Sequence, residues 1–246
     1  MSINQSEFTS LITKTFSQNG LGTYLSTETV DSFYRLTLRM LEENEKFNLT
    51  AITSPDKIIL NHYADCLKLS EHIKKGSRII DVGCGAGFPT LPLAILRPDL
   101  SIVALDSTAK RVNYVAETAD ILGLSNVRAI VSRAEDASRL PEYREAFDYA
   151  TARAVAELRV LSELTLPFVK VGGKLIALKG KNATHELTAA KRAIAILGGK
   201  EATLTEVELI PLEGETESHP MISVSKAAKT PATYPRPYAQ ISKKPL

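Results

Sequence analysis

The sequence has no tryptophan, only two cysteines, and an aromatic content of 6%. Cys66 and Cys84 are too few for a disulfide framework, and the second sits inside a glycine-rich turn, so a reducing cytoplasm is the expected location. No apolar run approaches the ~18 residues that a membrane-spanning helix requires. The start, Met-Ser-Ile-Asn-Gln-Ser-Glu, carries neither a basic n-region nor an apolar h-region, which predicts no secretion signal. Repeats and low-complexity stretches are missing as well. What is present is ordinary for a globular chain: 246 residues, 44% hydrophobic and 24% charged, enough for one substantial core plus an appendage.

The net charge of +2 hides an uneven distribution. Residues 201–217 hold six acids and no base, whereas residues 226–246 hold five bases (Lys226, Lys229, Arg236, Lys243, Lys244) and no acid. A basic, Pro-rich end suits a phosphate backbone. Charge alone fits a solvated tail equally well.

Hydrophobic spacing predicts helices over much of the first ~55 residues, one short helix around Phe8–Phe16 and a longer one with Val30, Phe33, Thr37, Met40, Leu41 and Phe47 near one face. Glu42, Glu43 and Glu45 are expected to point outward. A further helix after Pro55 carries His62 and Asp65. From Arg78 the pattern becomes strands alternating with helices, the signature of a parallel sheet covered on both faces. Strands are expected at 78–82, 101–106, 127–131, 147–151, 174–179, 202–210 and 221–225, with helices near 90–96, 110–122, 157–168 and 184–197. Only an acidic turn separates the last two strands, which are therefore expected to pair antiparallel.

The densest signal is Ile79-Ile80-Asp81-Val82-Gly83-Cys84-Gly85-Ala86-Gly87-Phe88. A buried strand that ends in alternate glycines can turn tightly and lie against a nucleotide at the carboxyl edge of an open sheet. A dinucleotide turn places its third glycine where Phe88 stands, so the pattern favours a single nucleoside without a diphosphate. Asp106 ends the next strand, where an acid accepts hydrogen bonds from ribose hydroxyls or, more plainly, caps a helix. Ser132-Arg133-Ala134-Glu135-Asp136 follows the third strand, where amides and Glu135 would read a ring edge. The three elements together resemble the class I S-adenosylmethionine methyltransferases, an α/β, Rossmann-like class.

Several acceptor chemistries leave signatures that are missing here. After the fourth strand stands Thr151-Ala152-Arg153-Ala154 rather than the Asn/Asp-Pro-Pro-aromatic turn used on exocyclic amines. Neither cysteine lies where pyrimidine C5 chemistry needs a nucleophile. The four histidines (His62, His72, His185, His219) offer no evident base at the sheet edge. An acceptor with a free lone pair, such as guanine N7, needs only alignment. A small-molecule methyltransferase, or a non-catalytic donor-sensing RNA-binding protein, stays open on residues alone.

Asn48-Leu49-Thr50-Ala51-Ile52-Thr53, His62, Asp65, the glycine turn through Pro89, Leu105-Asp106-Ser107 with Lys110-Arg111, Ser132–Glu135, Arg153-Ala154 and Leu178-Lys179-Gly180 occur in unbroken order. This series resembles the RsmG (GidB) family of bacterial 16S rRNA guanine-N7 methyltransferases. The resemblance implies a mostly parallel seven-stranded sheet with an antiparallel last strand and a helical N-terminal extension. It divides the chain into 1–70 (extension), 71–228 (methyltransferase core) and 229–246 (basic tail). It implies S-adenosyl-L-methionine as donor, S-adenosyl-L-homocysteine as product, and 16S rRNA or the 30S subunit as partner, with no membrane, no metal and a monomeric chain. The implied donor site comprises Asp81, Gly83, Gly85, Gly87 and Phe88 from the turn, Asp106 and Ser107 at the ribose, and Ala134, Glu135 and Arg153. Arg153 and Lys179 are the expected catalytic residues, with an ion pair at each strand end as the plainer alternative. Arg111, Arg133, Arg153, Lys179, Lys181 and the tail bases are the expected RNA surface. In the tail, Tyr234-Pro235-Arg236-Pro237-Tyr238-Ala239 has alanine where the family's Gram-positive members have glycine.

Overall fold

A computed structural model describes residues 3–246, so Met1 and Ser2 of the expected 1–70 extension lie outside the described residues. Helix α1 (Gln5–Gln18) opens on a capping box, in which Asn4 accepts from the Glu7 amide at 2.9 Å and Glu7 reaches back to the Asn4 amide. Helix α2 (Thr27–Lys46) is capped by Ser26, whose hydroxyl accepts from the Thr29 amide at 3.1 Å. Phe16 meets Phe33 edge-on, and Phe33 stacks on Tyr63 with centroids 4.5 Å apart.

Glu43 departs from the expected outward orientation. It continues the buried stripe Phe33, Leu36, Met40 one turn further, and its charge is met by Arg39 at 2.7 Å and Lys46 at 2.8 Å. After α3 (Pro55–Ile58) the chain makes a wide π-helical turn, Ile59–Ala64, before α4 (Asp65–Ser70). Such turns are rare and recur at functional sites, because one extra residue re-aims the side chains around it.

The sheet follows: β1 (Arg78–Val82), α5 (Thr90–Leu96), β2 (Ser101–Asp106), α6 (Ala109–Ile121), β3 (Val127–Val131), α7 (Ala134–Ala137), β4 (Phe147–Arg153), α8 (Leu158–Thr165), β5 (Val169–Leu178), α9 (Ala183–Ile196), β6 (Gly199–Thr205), β7 (Glu208–Leu209), β8 (Glu217–Ser218), β9 (Met221–Lys226) and α10 (Tyr238–Lys243). The seven-stranded order is β3-β2-β1-β4-β5-β9-β6, in which β1 to β5 run parallel and β9 lies antiparallel between β5 and β6. The chain winds outward from β1 to β3 and then returns to place β4 against β1. That reversal leaves a crevice at the carboxyl ends of β1 and β4.

The expected strand 202–210 is two strands. β6 stops at Thr205, which pairs with Met221, the first residue of β9, so the sheet has no partner further on. The chain then pairs Glu208–Leu209 with Glu217–Ser218 in a separate two-stranded ribbon. This detour swings His219 and Pro220 to the crevice.

Alternation along the strands divides the core. One face, with Ile79, Ile102 and Ile176, joins Phe8, Phe16, Phe33 and Tyr63 in a single cluster, so the N-terminal helices form a layer of the same core. The other face, with Ile80, Val103 and Leu175, packs on Leu158, Leu161 and Ile194 of α8 and α9.

The basic tail is docked. Glu163 of α8, 0% exposed, accepts from the Arg236 amide at 2.8 Å and pairs with its guanidinium at 2.7 Å. Arg144 donates to the carbonyls of Thr230 and Tyr234. Lys226 is buried, donates to Leu166 O at 2.7 Å, and is pushed down to about 8 by desolvation. Two of the five tail bases are thus spent internally; Lys229, Lys243 and Lys244 remain exposed.

Candidate active site

Two clefts open at the carboxyl ends of the strands and share Ala154 and Val155 as a common wall. Ala154 adopts φ +55°, in the left-handed region that a non-glycine residue occupies only under constraint from its surroundings. This bend sets Val155 directly over Gly83. A Cβ at Gly83, where φ is +75°, would lie 2.7 Å from Val155 Cγ2.

The first cleft, about 310 Å³, is bounded by Gly83, Asp106, Ser107, Ser132–Glu135, Leu164 and Tyr238. Its floor is the glycine turn, stapled to β2. The amides of Gly83 and Cys84 both donate to Leu105 O, at 2.8 and 3.0 Å, and Gly85 N donates to Asp106 Oδ2 at 3.1 Å. Asp106 Oδ1 accepts from Thr108 N at 2.9 Å, and Arg111 stands 3.8 Å from Oδ2. Asp106 is therefore held in one orientation at the cleft by backbone amides that precede and follow it.

The second cleft, about 680 Å³, gathers Asn61, His62 and Asp65 with Arg153, Lys179, Glu186 and His219. Arg153 donates to Asn61 O at 2.9 Å and lies 3.0 Å from His62 Nδ1. A guanidinium can only donate, so Nδ1 carries the lone pair and Nε2–H faces Thr50 Oγ1, 3.1 Å away. Burial, reinforced by the Arg153 charge, pushes His62 down to about 3. His62 also stacks on Phe88, with centroids 4.3 Å apart and planes at 19°. Asp65 Oδ2 is 3.8 Å from Arg153, and its other oxygen is 3.3 Å from His219 Nδ1. The Asp65 carboxylate, with Glu217 beyond it, raises the His219 pKa. Lys179 Nζ is 2.6 Å from Glu186 and donates to Ala156 O at 2.7 Å.

The structure thus brings Gly83, Asp106, Ser107, Ala134 and Glu135 to one cleft and Arg153 and Lys179 to the other. Asp81, Gly85, Gly87 and Phe88 line neither. Asp81, 1% exposed, accepts from Thr90 Oγ1 at 2.7 Å and Thr151 Oγ1 at 3.3 Å, and ties the turn to α5 and β4. Burial pushes its carboxyl up to about 6. Lys179 is a paired cation rather than a free one. No histidine was expected as a base at the sheet edge; His62 and His219 do stand there, but His62 is engaged by Arg153 and His219 by Asp65. The π-helical turn and the β7–β8 ribbon deliver them, and neither element announces itself in local sequence. From the N-terminal helices only the stretch from Ile52 to Asp65 reaches the second cleft. Among the described residues no group of three or more His, Cys, Asp and Glu could hold a metal ion, and no helix is long and apolar enough to cross a membrane.

A family model described as rRNA small subunit methyltransferase G matches residues 29–210. A ribosomal RNA small subunit methyltransferase G of Clostridium perfringens is 51% identical over 207 residues, which is 83% of this chain and 85% of the relative. Its counterpart in Clostridium beijerinckii is 45% identical over 232 residues, covering 94% and 96%. Among solved structures, a SAM-dependent methyltransferase from Aquifex aeolicus superposes with a TM-score of 0.52 at 19% identity, covering 75% of this chain and 97% of its own. Precorrin-6y C5,15-methyltransferase from Geobacter metallireducens gives 0.51 at 16%, covering 74% and 92%. These two likenesses concern the fold.

Proposed function

The chain belongs to the GidB family of rRNA small subunit methyltransferases G, and from that footing we propose that it methylates N7 of a guanine in 16S rRNA with S-adenosyl-L-methionine as donor. The single observation that carries the reading is the pair of clefts meeting at Ala154–Val155, one whose size and lining suit a nucleoside and one lined by fixed polar groups. The first cleft fits the donor's chemistry. Asp106 offers a preset carboxylate to vicinal ribose hydroxyls, and Ala134 and Glu135 offer an apolar face and an acceptor to a purine. When bound there, S-adenosyl-L-methionine supplies a sulfonium methyl group and leaves as S-adenosyl-L-homocysteine.

In the second cleft the chain's task is positioning. Guanine N7 carries an in-plane lone pair and no proton, so no base is required. A His62 held neutral with its lone pair already engaged by Arg153 agrees with that. Two of the five Arg153 N–H groups are committed to Asn61 and His62, which leaves donors for the guanine O6 or the donor's carboxylate. Fixing the reacting groups in line and excluding water can supply roughly 7–11 kcal/mol. The target guanine must be unstacked, which is cheap in single-stranded rRNA loops. Exposed Arg111, Arg133, Lys181, Lys229, Lys243 and Lys244 would meet the phosphates. We place the reaction in the cytoplasm, on 16S rRNA or the 30S subunit, with a monomeric chain.

The test is transfer of labelled methyl from S-adenosyl-L-methionine to 16S rRNA, naked or in 30S particles, from cells lacking the modification. Label in 7-methylguanine supports the reading, and label on a small metabolite or another ring position overturns it.

A further inference from the structure

One wall of the first cleft comes from the far end of the chain. Tyr238, the first residue of α10, lines it together with Gly83 of the turn and Ser132, Arg133, Ala134 and Glu135. The position is fixed from both sides. Two residues earlier, Arg236 is clamped to buried Glu163 through its amide and its guanidinium. Three residues later, Ile241 is 0% exposed and packs on Val160 and Leu164 of α8, with Ala134 and Ala156 alongside. Arg139 adds a hydrogen bond to Pro235 O. A segment so tied has little freedom left to lose when a ligand arrives.

Tyr238 itself is 42% exposed, a large side chain left partly uncovered, and the Arg133 guanidinium lies 5.9 Å from its ring centroid. An aromatic ring held rigidly at the lip of a nucleoside-sized cleft, with its apolar surface in water, is a stacking platform without its base. Asp106 supplies the carboxylate suited to the ribose. Glu135, 7% exposed, supplies an acceptor suited to an exocyclic amine. Tyr238 supplies the missing π-face. We propose that Tyr238 covers the adenine of S-adenosyl-L-methionine, so that the C-terminal strap completes the donor site. The proposal rests on reading the first cleft as the donor's.

It also explains why a tail that looks merely basic is anchored by a buried ion pair. Ala239, in place of the glycine found in similar tails, lies within α10 and meets no backbone demand that needs glycine.

The test measures S-adenosyl-L-homocysteine binding to the full chain by calorimetry, for the parent, Tyr238→Phe and Tyr238→Ala. It is paired with steady-state KM values for donor and rRNA and with the unfolding midpoint of each free protein. Loss of one base–aromatic stack predicts about a tenfold weaker Kd for Tyr238→Ala. The donor KM should rise in parallel, with the rRNA KM and the unfolding midpoint unchanged and Tyr238→Phe within about twofold of the parent. A Tyr238→Ala protein that binds S-adenosyl-L-homocysteine as tightly as the parent overturns the proposal. So does one in which the rRNA KM rises instead, which would make Tyr238 a contact to the RNA. If the parent itself fails to bind S-adenosyl-L-homocysteine, the donor reading of the cleft falls with it.

Discussion

Arg153 Nη2 lies 3.0 Å from His62 Nδ1, so a permanent cation and a titratable ring share one cleft wall. The guanidinium sits 5.2 Å from the centroid of Phe88, the ring on which His62 stacks. Phe88 therefore serves the second cleft as the platform for both groups. Within the glycine turn it packs across the crevice against His62 and Arg153.

The contact fixes a pH dependence. His62 is pushed from an ordinary 6.5 to about 3, so the native state binds fewer protons than the unfolded chain below pH 6.5. This contribution to stability is complete above about 6.5 and is lost progressively as pH falls toward 3. The His62 ring resonances should show no titration between pH 5 and 8. The fall in unfolding midpoint below pH 6.5 should be shallower in His62→Gln. An inflection near 6.5 would contradict the neutral ring.

Arg153→Lys keeps the charge but loses the planar fork that reaches Asn61 O and His62 together. Methyl transfer should drop by on the order of 10²-fold through misplacement of the reacting groups. S-Adenosyl-L-homocysteine should still bind, and the unfolding midpoint should shift little. Single-turnover kinetics would read the loss directly, and near-parental rates would remove Arg153 from the positioning role.

Asp106→Asn tests the ribose contact. The amide can still accept from Gly85 N, but the charge-assisted bonds to the hydroxyls, worth ~1.5–3 kcal/mol, are weakened. The donor KM should rise about tenfold or more while the rRNA KM stays constant. Unchanged donor binding would leave Asp106 as a brace for the turn alone.

Arg236→Ala would strand Glu163 as a buried, unpaired charge. Breaking such a pair costs ~3–5 kcal/mol, and the partial exposure of Arg236 places it near the lower end. In a chain of this size that lowers Tm by on the order of 10 °C. Combining Arg236→Met with Glu163→Leu should recover part of the loss. Thermal unfolding of the single and double variants separates the burial penalty from the loss of packing.

What could be read from the sequence were features written locally. The strand ending in Gly83-Cys84-Gly85-Ala86-Gly87 and the acid of Asp106 depend on backbone freedom and strand period, and both stand where spacing put them. The antiparallel β9 followed from an intervening turn too acidic and short for a helix. Other features depend on distant partners. Glu43 turns inward because Arg39 and Lys46 flank it on the same helix face. His219 enters the cleft because β9 begins at Met221 and leaves β6 nothing to pair with beyond Thr205. The tail docks because α8 buries a lone glutamate that requires a cation. The partners of Asp81 are likewise distant in sequence: its buried carboxylate accepts from the hydroxyls of Thr90 and Thr151.

The most direct measurement maps 7-methylguanine in 16S rRNA from cells with and without this protein, followed by treatment of the unmodified rRNA with the purified chain and S-adenosyl-L-methionine. One guanine should lose its N7 methyl group when the protein is absent and regain it on treatment. Identical N7 methylation in both rRNAs, or a new methyl group at any other atom, would contradict it.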